Sequence, residues 1–154
     1  LVGSKPFIKE ARALRASVLR HPPGHIQRTA AYFLSLGHYD AQVRRMGTAL
    51  HERRKVMQQA IEDSCLQIAG QGTYGGSSYW MRTPENVDTV QLAQTLQSQG
   101  VLIEPGESFF GGENRPQHFY RLAYSSIPSS RIAKGVAIIA QAIKDAAASG
   151  PNRN

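Results

Sequence analysis

Apolar residues recur at helical spacing through the first sixty positions, then give way to short runs broken by glycine and proline. Over 5–20, Phe7, Ile8, Ala11, Leu14 and Val18 share one face with Arg12, Arg15 and Arg20 outward, which predicts an amphipathic helix. His21-Pro22-Pro23-Gly24 ends it, because proline has no N–H to donate and clashes with the preceding turn. A second helix is expected over 25–36, with Ile26, Ala30, Phe33 and Leu34 as its stripe and Gly37 as its stop. His38-Tyr39-Asp40 reads as the connection and Asp40 as an N-cap. A long helix then runs to about residue 64, its stripe Val43, Met46, Leu50, Met57, Ala60 and Ile61. Arg44, Arg45, Arg53, Arg54 and Lys55 cover its other side. Gly47 weakens that helix by about 1 kcal/mol relative to alanine without stopping it.

Beyond residue 65 the period shortens. A strand is expected over 66–69 and another over 77–81, joined by the glycine-rich stretch 70–76. That stretch lacks the Gly-Lys-Ser/Thr ending and the strand–loop–helix order of a phosphate cradle, so it reads as a turn between strands. Pro84-Glu85-Asn86 opens a helix through Gln99, with Val87, Val90, Ala93 and Leu96 inward and Gly100 as its stop. Two apolar runs, 101–103 and 119–124, have the pattern of buried strands. Ser129 or Ser130 caps a last helix whose core face is Ile132, Val136, Ile139, Ala140 and Ile143, and 149–154 is a tail. The order strand, strand, helix, strand, strand, helix predicts an α/β fold, a mixed or antiparallel sheet with helices on one face.

Arg121 interrupts the second apolar run between Tyr120 and Leu122. A guanidinium in a strand cannot shed its proton, so it must be neutralised. Its planar fork matches a carboxylate through two parallel hydrogen bonds. Either Glu104 or another protein carboxylate pairs with it, or a ligand carboxylate does.

Charge narrows the function classes. The net charge of +7 is uneven: residues 1–55 hold eleven Lys and Arg against three acids, and 56–154 hold seven against eight. The basic residues ride on helix faces with few aromatics among them to stack bases, which points to a solvated surface rather than a nucleic-acid interface. Cys65 stands alone, which excludes an internal disulfide, fits a reducing compartment and reads as a small packing residue at a helix end. His38, His51 and His118 have no metal-ligand spacing with Cys65 or with one another, so no metal is expected. No apolar run approaches a membrane span and no signal peptide is visible, so a cytoplasmic protein without membrane contact is expected.

Gly100-Val101-x-x-x-Pro105-Gly106-x-x-Phe109, a polar loop, then Tyr120-Arg121-Leu122-x-Tyr124 resembles the C-terminal region of fold type I pyridoxal-phosphate aminotransferases. The string Gly37-His38-Tyr39-Asp40-x-x-Val43-Arg44-Arg45-Met46, continuing to Glu52-Arg53-Arg54, is similar to one subgroup, the MocR/GabR-type regulators. There an aminotransferase-like body follows an N-terminal winged-helix DNA-binding domain. The resemblance implies that residues 1–40 are the end of the large cofactor domain with interdomain and dimer-interface helices. It implies that 41–148 are the small C-terminal domain. It implies that Arg121 grips the carboxylate of an amino-acid or amine effector, and that Phe109 and Phe110 wall the pocket, although a hydrophobic strand end explains those two equally well. Pyridoxal phosphate, a homodimer and DNA binding are implied for the complete protein only, because the cofactor lysine and the winged helix precede the matched region. Ser4-Lys5 lies on the wrong side of the strand at Leu1-Val2-Gly3 to be that lysine. His21 and His25 fall where the family's interdomain segment nears the partner's cofactor, although residues beside a proline break are commonly plain helix-flanking groups. Gly76-Ser77-Ser78 stands where the family often has Gly-Leu-His, so contacts of that histidine do not transfer. A catalytic aminotransferase and a cofactor-free interaction domain are the alternative readings, and no residue is assigned a catalytic role.

Overall fold

The computed structural model describes residues 2–70 and 76–149. The chain divides into two compact units, residues 1–45 and 46–154. In the first, α1 (Lys5–Val18) and α2 (Gly24–Ser35) form where the apolar spacing predicts. Ser4 caps α1 by accepting from the Phe7 N–H. Neither helix buries a residue: Phe7, Leu14, Ile26, Tyr32 and Leu34 are all exposed. Gly37, at φ +71°, makes the turn by itself, and α3 (His38–Asp63) begins immediately after it. Asp40 therefore lies in the first turn of α3 rather than capping it, where its charge complements the helix dipole.

The second unit holds the end of α3 and everything after it. β1 (Gln67–Ile68), β2 (Ser78–Arg82), β3 (Glu104–Pro105) and β4 (Phe119–Ala123) form one sheet in the order β1-β2-β4-β3. All three pairings are antiparallel, which settles the mixed-or-antiparallel alternative. The turn expected at 70–76 falls largely on residues 71–75, outside the described residues. Alternation decides the rest. Tyr79 and Met81 of β2, with Tyr120 and Leu122 of β4, are buried against α3, α4 (Thr89–Ser98) and α5 (Ser129–Ala148). Met57 and Ile61, Leu92 and Leu96, and Ile132, Val136, Ile139 and Ile143 supply the helical side. This is the one-faced α/β arrangement the pattern predicts.

Several boundaries differ from the sequence expectation, each for a local reason. The run 101–103 is not a strand: Val101 N–H closes on Leu96 O at 3.0 Å while Gly100 takes φ +75°, so the helix exit uses it. Leu102 is exposed, and pairing starts only at Glu104. Helix α4 begins at Thr89, not at Pro84, because Asp88 accepts from the Val90 N–H at 2.8 Å. Its buried positions are Thr89, Leu92 and Leu96 rather than Val90 and Ala93. Pro128 stands at the N-cap of α5, and Ser129 is already helical. Cys65 is exposed at φ 55° and ends α3, with Leu66 N–H bonding back to Ile61 O, so it terminates a helix but packs nothing. The basic side of α3 is partly engaged: Arg53 Nη1 donates to Ser125 O, and the Arg54 guanidinium lies 5.9 Å from the Tyr79 ring centre.

Candidate carboxylate-binding face

With helices on one side, the other side of the sheet in the second unit presents a row of different chemistry. Trp80 pairs with Arg121, and Arg121 pairs with Glu104, so β2, β4 and β3 set three side chains abreast on the helix-free face. Trp80 stacks on Phe119 with 5.9 Å between centres and 7° between planes. Phe109 meets Trp80 edge-on at 5.4 Å, and Phe110 touches both Trp80 and Phe119. The Arg121 Cζ lies 5.7 Å from the Phe109 ring centre, within cation–π reach.

Arg121 lies against Phe109, and Phe110 packs on Trp80 and Phe119 of the same face, but the guanidinium is not enclosed. Its side chain is 43% exposed, and that of Glu104 49%. Of the alternatives open in the sequence, the structure realises the Glu104 pair: Oε2 stands 2.8 Å from Nε. Nε is itself buried and its N–H is not aligned on the carboxylate, so the contact is ionic rather than a hydrogen bond. Among the described residues, no acceptor meets the Nη groups. The site is an open face, and the grooves of about 790 Å³ and 530 Å³ elsewhere in this unit do not include Arg121.

Local chemistry holds the platform in place. The 3-10 turn Gly106–Phe109 crosses so close to β4 that a Cβ on Gly106 would come within 2.6 Å of Phe119 O, which explains the Pro-Gly step before the aromatic pair. Thr89 Oγ1 donates to Phe119 O at 2.9 Å, and Thr83 Oγ1 to His118 O at 3.1 Å, so two buried hydroxyls fix the start of β4 from behind. Beneath Arg121, Tyr120 is fully buried with no partner for its hydroxyl among the described residues, and that burial raises its pKa well above the usual phenol value. Sequence reasoning missed Trp80 and Phe119 as site residues. Parity could have found Trp80, which shares a face with the polar Ser78 and Arg82.

The site residues do not fit covalent capture of pyridoxal phosphate. Lys55, Lys134 and Lys144 of this unit lie on α3 and α5, off the Arg121 face, and Lys5 and Lys9 belong to α1 in the first unit.

No family model matches the chain. It is 59% identical over 144 residues to the HTH-type transcriptional regulator TauR of Rhodobacter capsulatus, covering 94% of this chain and 30% of that protein. It is 25% identical to aromatic-amino-acid aminotransferase 1 of Thermococcus litoralis over 94% of the chain and 35% of the enzyme. Among solved structures, LysN of Thermus thermophilus, an α-aminoadipate aminotransferase complexed with N-(5'-phosphopyridoxyl)-L-leucine, superposes with a TM-score of 0.79. That match has 22% identity and covers 96% of this chain and 38% of LysN. The chain spans about a third of the length of these proteins. The architecture is that of the small domain of fold type I aminotransferases. Within that class, the chain is similar to the C-terminal part of an HTH-type transcriptional regulator, which is consistent with the aminotransferase-like domain of MocR-type regulators.

Proposed function

We propose that the Trp80–Arg121–Glu104 face is where the complete regulator senses an amino-acid effector, with Arg121 receiving the effector's carboxylate. The observation that carries this reading is the state of the guanidinium. Among the described residues its Nη end meets no protein acceptor, and the side chain is exposed and flanked by the Phe109 ring. Its resident partner is no lock: an ion pair this exposed contributes about 1 kcal/mol or less, so a ligand carboxylate can compete for the cation. Trp80, Phe109 and Phe110 supply apolar walls that exclude water on one side of the bound acid and strengthen its pairing.

In this reading residues 1–40 carry the end of the large domain and the helices between domains. The exposed stripe of α1 and α2 is then a surface covered by other parts of a homodimer. Residues 41–148 are the small domain and 149–154 a tail. Pyridoxal phosphate would be held in the complete protein by residues other than those of this face, and would supply an electron-withdrawing ring there. Arg121 orients the effector from the opposite end, and the carboxylate grip favours one closure state of small on large domain. That shift can be no larger than the effector's differential affinity for the two states. DNA is read by an N-terminal winged helix in the cytoplasm. A catalytic aminotransferase is the second reading, favoured by the likeness to the Thermococcus litoralis enzyme.

The test is Arg121→Lys in the complete protein. A point charge in place of the fork should weaken amino-acid binding about tenfold or more, followed by titration of the cofactor absorbance. Unchanged affinity removes Arg121 from the site.

A further inference from the structure

We propose that Glu104 determines the charge of the ligand that Arg121 accepts, excluding amino acids with a second carboxylate; this rests on the carboxylate-binding reading above. Glu104 is set directly opposite Arg121 by the β3–β4 register, with Oε2 2.8 Å from Nε. The Nε atom is buried, and its edge of the fork is closed by that carboxylate. An incoming anion is therefore left the Nη end, where two N–H groups point the same way and hold one carboxylate. As a unit the Arg121–Glu104 pair is neutral. The carboxylate of a ligand with one acid group brings this pair to a single negative charge. A second carboxylate brought toward Glu104 would set like charge against like, a repulsion that the half-exposed position of the pair weakens but does not abolish. Arg82, paired with Phe119, does not relieve that repulsion, because it turns its Nη2 toward Gln67 Oε1, 3.4 Å away. Nothing in the chemistry of carboxylate gripping requires an acid beside the gripping arginine, so its presence acts on selectivity.

The experiment uses the complete regulator and calorimetric titration with two probes, L-alanine and L-aspartate, which share the α-carboxylate and α-amine and differ by one charge. Wild-type protein should hold alanine in preference to aspartate. Glu104→Gln keeps the shape and removes the charge, and should shift the aspartate-to-alanine affinity ratio toward aspartate by about fivefold or more. Glu104→Ala should shift it the same way, which covers the case in which the glutamine variant misfolds. In wild-type protein, added salt should narrow the preference through screening. A ratio that neither variant nor salt moves, while Arg121→Lys still weakens both probes, overturns the role of Glu104 and leaves the site standing. If Arg121→Lys changes neither titration, or wild-type protein holds neither probe, the site reading fails and this inference fails with it.

Discussion

Glu104 and Arg121 face one another across the β3–β4 pairing, one on a two-residue strand and the other at the centre of a five-residue strand. Their contact is short yet half exposed, a geometry that gives position more than stability. Glu104→Gln should therefore change the unfolding midpoint by the equivalent of less than about 1 kcal/mol, measured by urea titration with circular dichroism. A loss of several kcal/mol would mean the pair is a structural clamp, and the competition by a ligand carboxylate argued above would be untenable.

Gly106 carries a sharper constraint. Its missing side chain is what lets the 3-10 turn lie on the Phe119 backbone, where an added Cβ would be 2.6 Å from a carbonyl oxygen that already accepts from Thr89. Gly106→Ala should cost about 1–3 kcal/mol as the turn is pushed off the strand, and the displaced Phe109 and Phe110 should weaken effector binding as well. Thermal unfolding and ligand titration check the two effects together. A variant as stable as wild type would show that the turn can move freely.

Tyr120 offers a test by pH. Burial raises its pKa, so the folded protein keeps the phenol protonated where the unfolded chain begins to lose the proton, near the ordinary value of 10.0. The unfolded state then binds fewer protons than the folded one, and stability should fall as pH rises through and above that ordinary value. It is fully present below it. Tyr120→Phe removes this loss, and because the buried hydroxyl has no partner among the described residues the variant should be as stable as wild type or more so by about 1 kcal/mol at neutral pH. Tyr124, whose pKa is raised mainly by burial, keeps a smaller alkaline slope in the variant. Denaturant midpoints measured at neutral and alkaline pH decide it, and an unchanged alkaline slope in the variant would place the effect elsewhere.

Asp88 is a local test of helix registration. Asp88→Ala should cost about 1 kcal/mol by freeing the first amides of α4, read from the urea midpoint. No loss would mean that the helix is held by packing of Leu92 and Leu96 alone.

The order of elements was legible along the chain. Helical spacing found α1, α2, α3 and α5 because each shows an apolar stripe over at least three turns, and glycine marked the ends where the backbone needs positive φ, at Gly37 and Gly100. Arg121 stood out because one charge in an apolar run demands a partner. Phe109 and Phe110 came only from the family resemblance, and the close backbone approach that requires Gly106 before them is visible only in the structure. Short segments were less legible. Asp88 out-competes Pro84 as a helix start through a side-chain hydrogen bond that composition does not reveal, and Val101 is claimed by a helix exit rather than by a strand.

What the chain alone determined, then, is a period: 3.6 in the helices and 2 in the strands, with a lone guanidinium on one parity of β4. Periodicity says which residues share a side of a strand but not which side the helices will cover. Packing of α3, α4 and α5 made Tyr120 and Leu122 core and left Arg121 on the open face. Strand pairing, a contact between residues far apart in sequence, then placed Trp80 on one flank and Glu104 on the other.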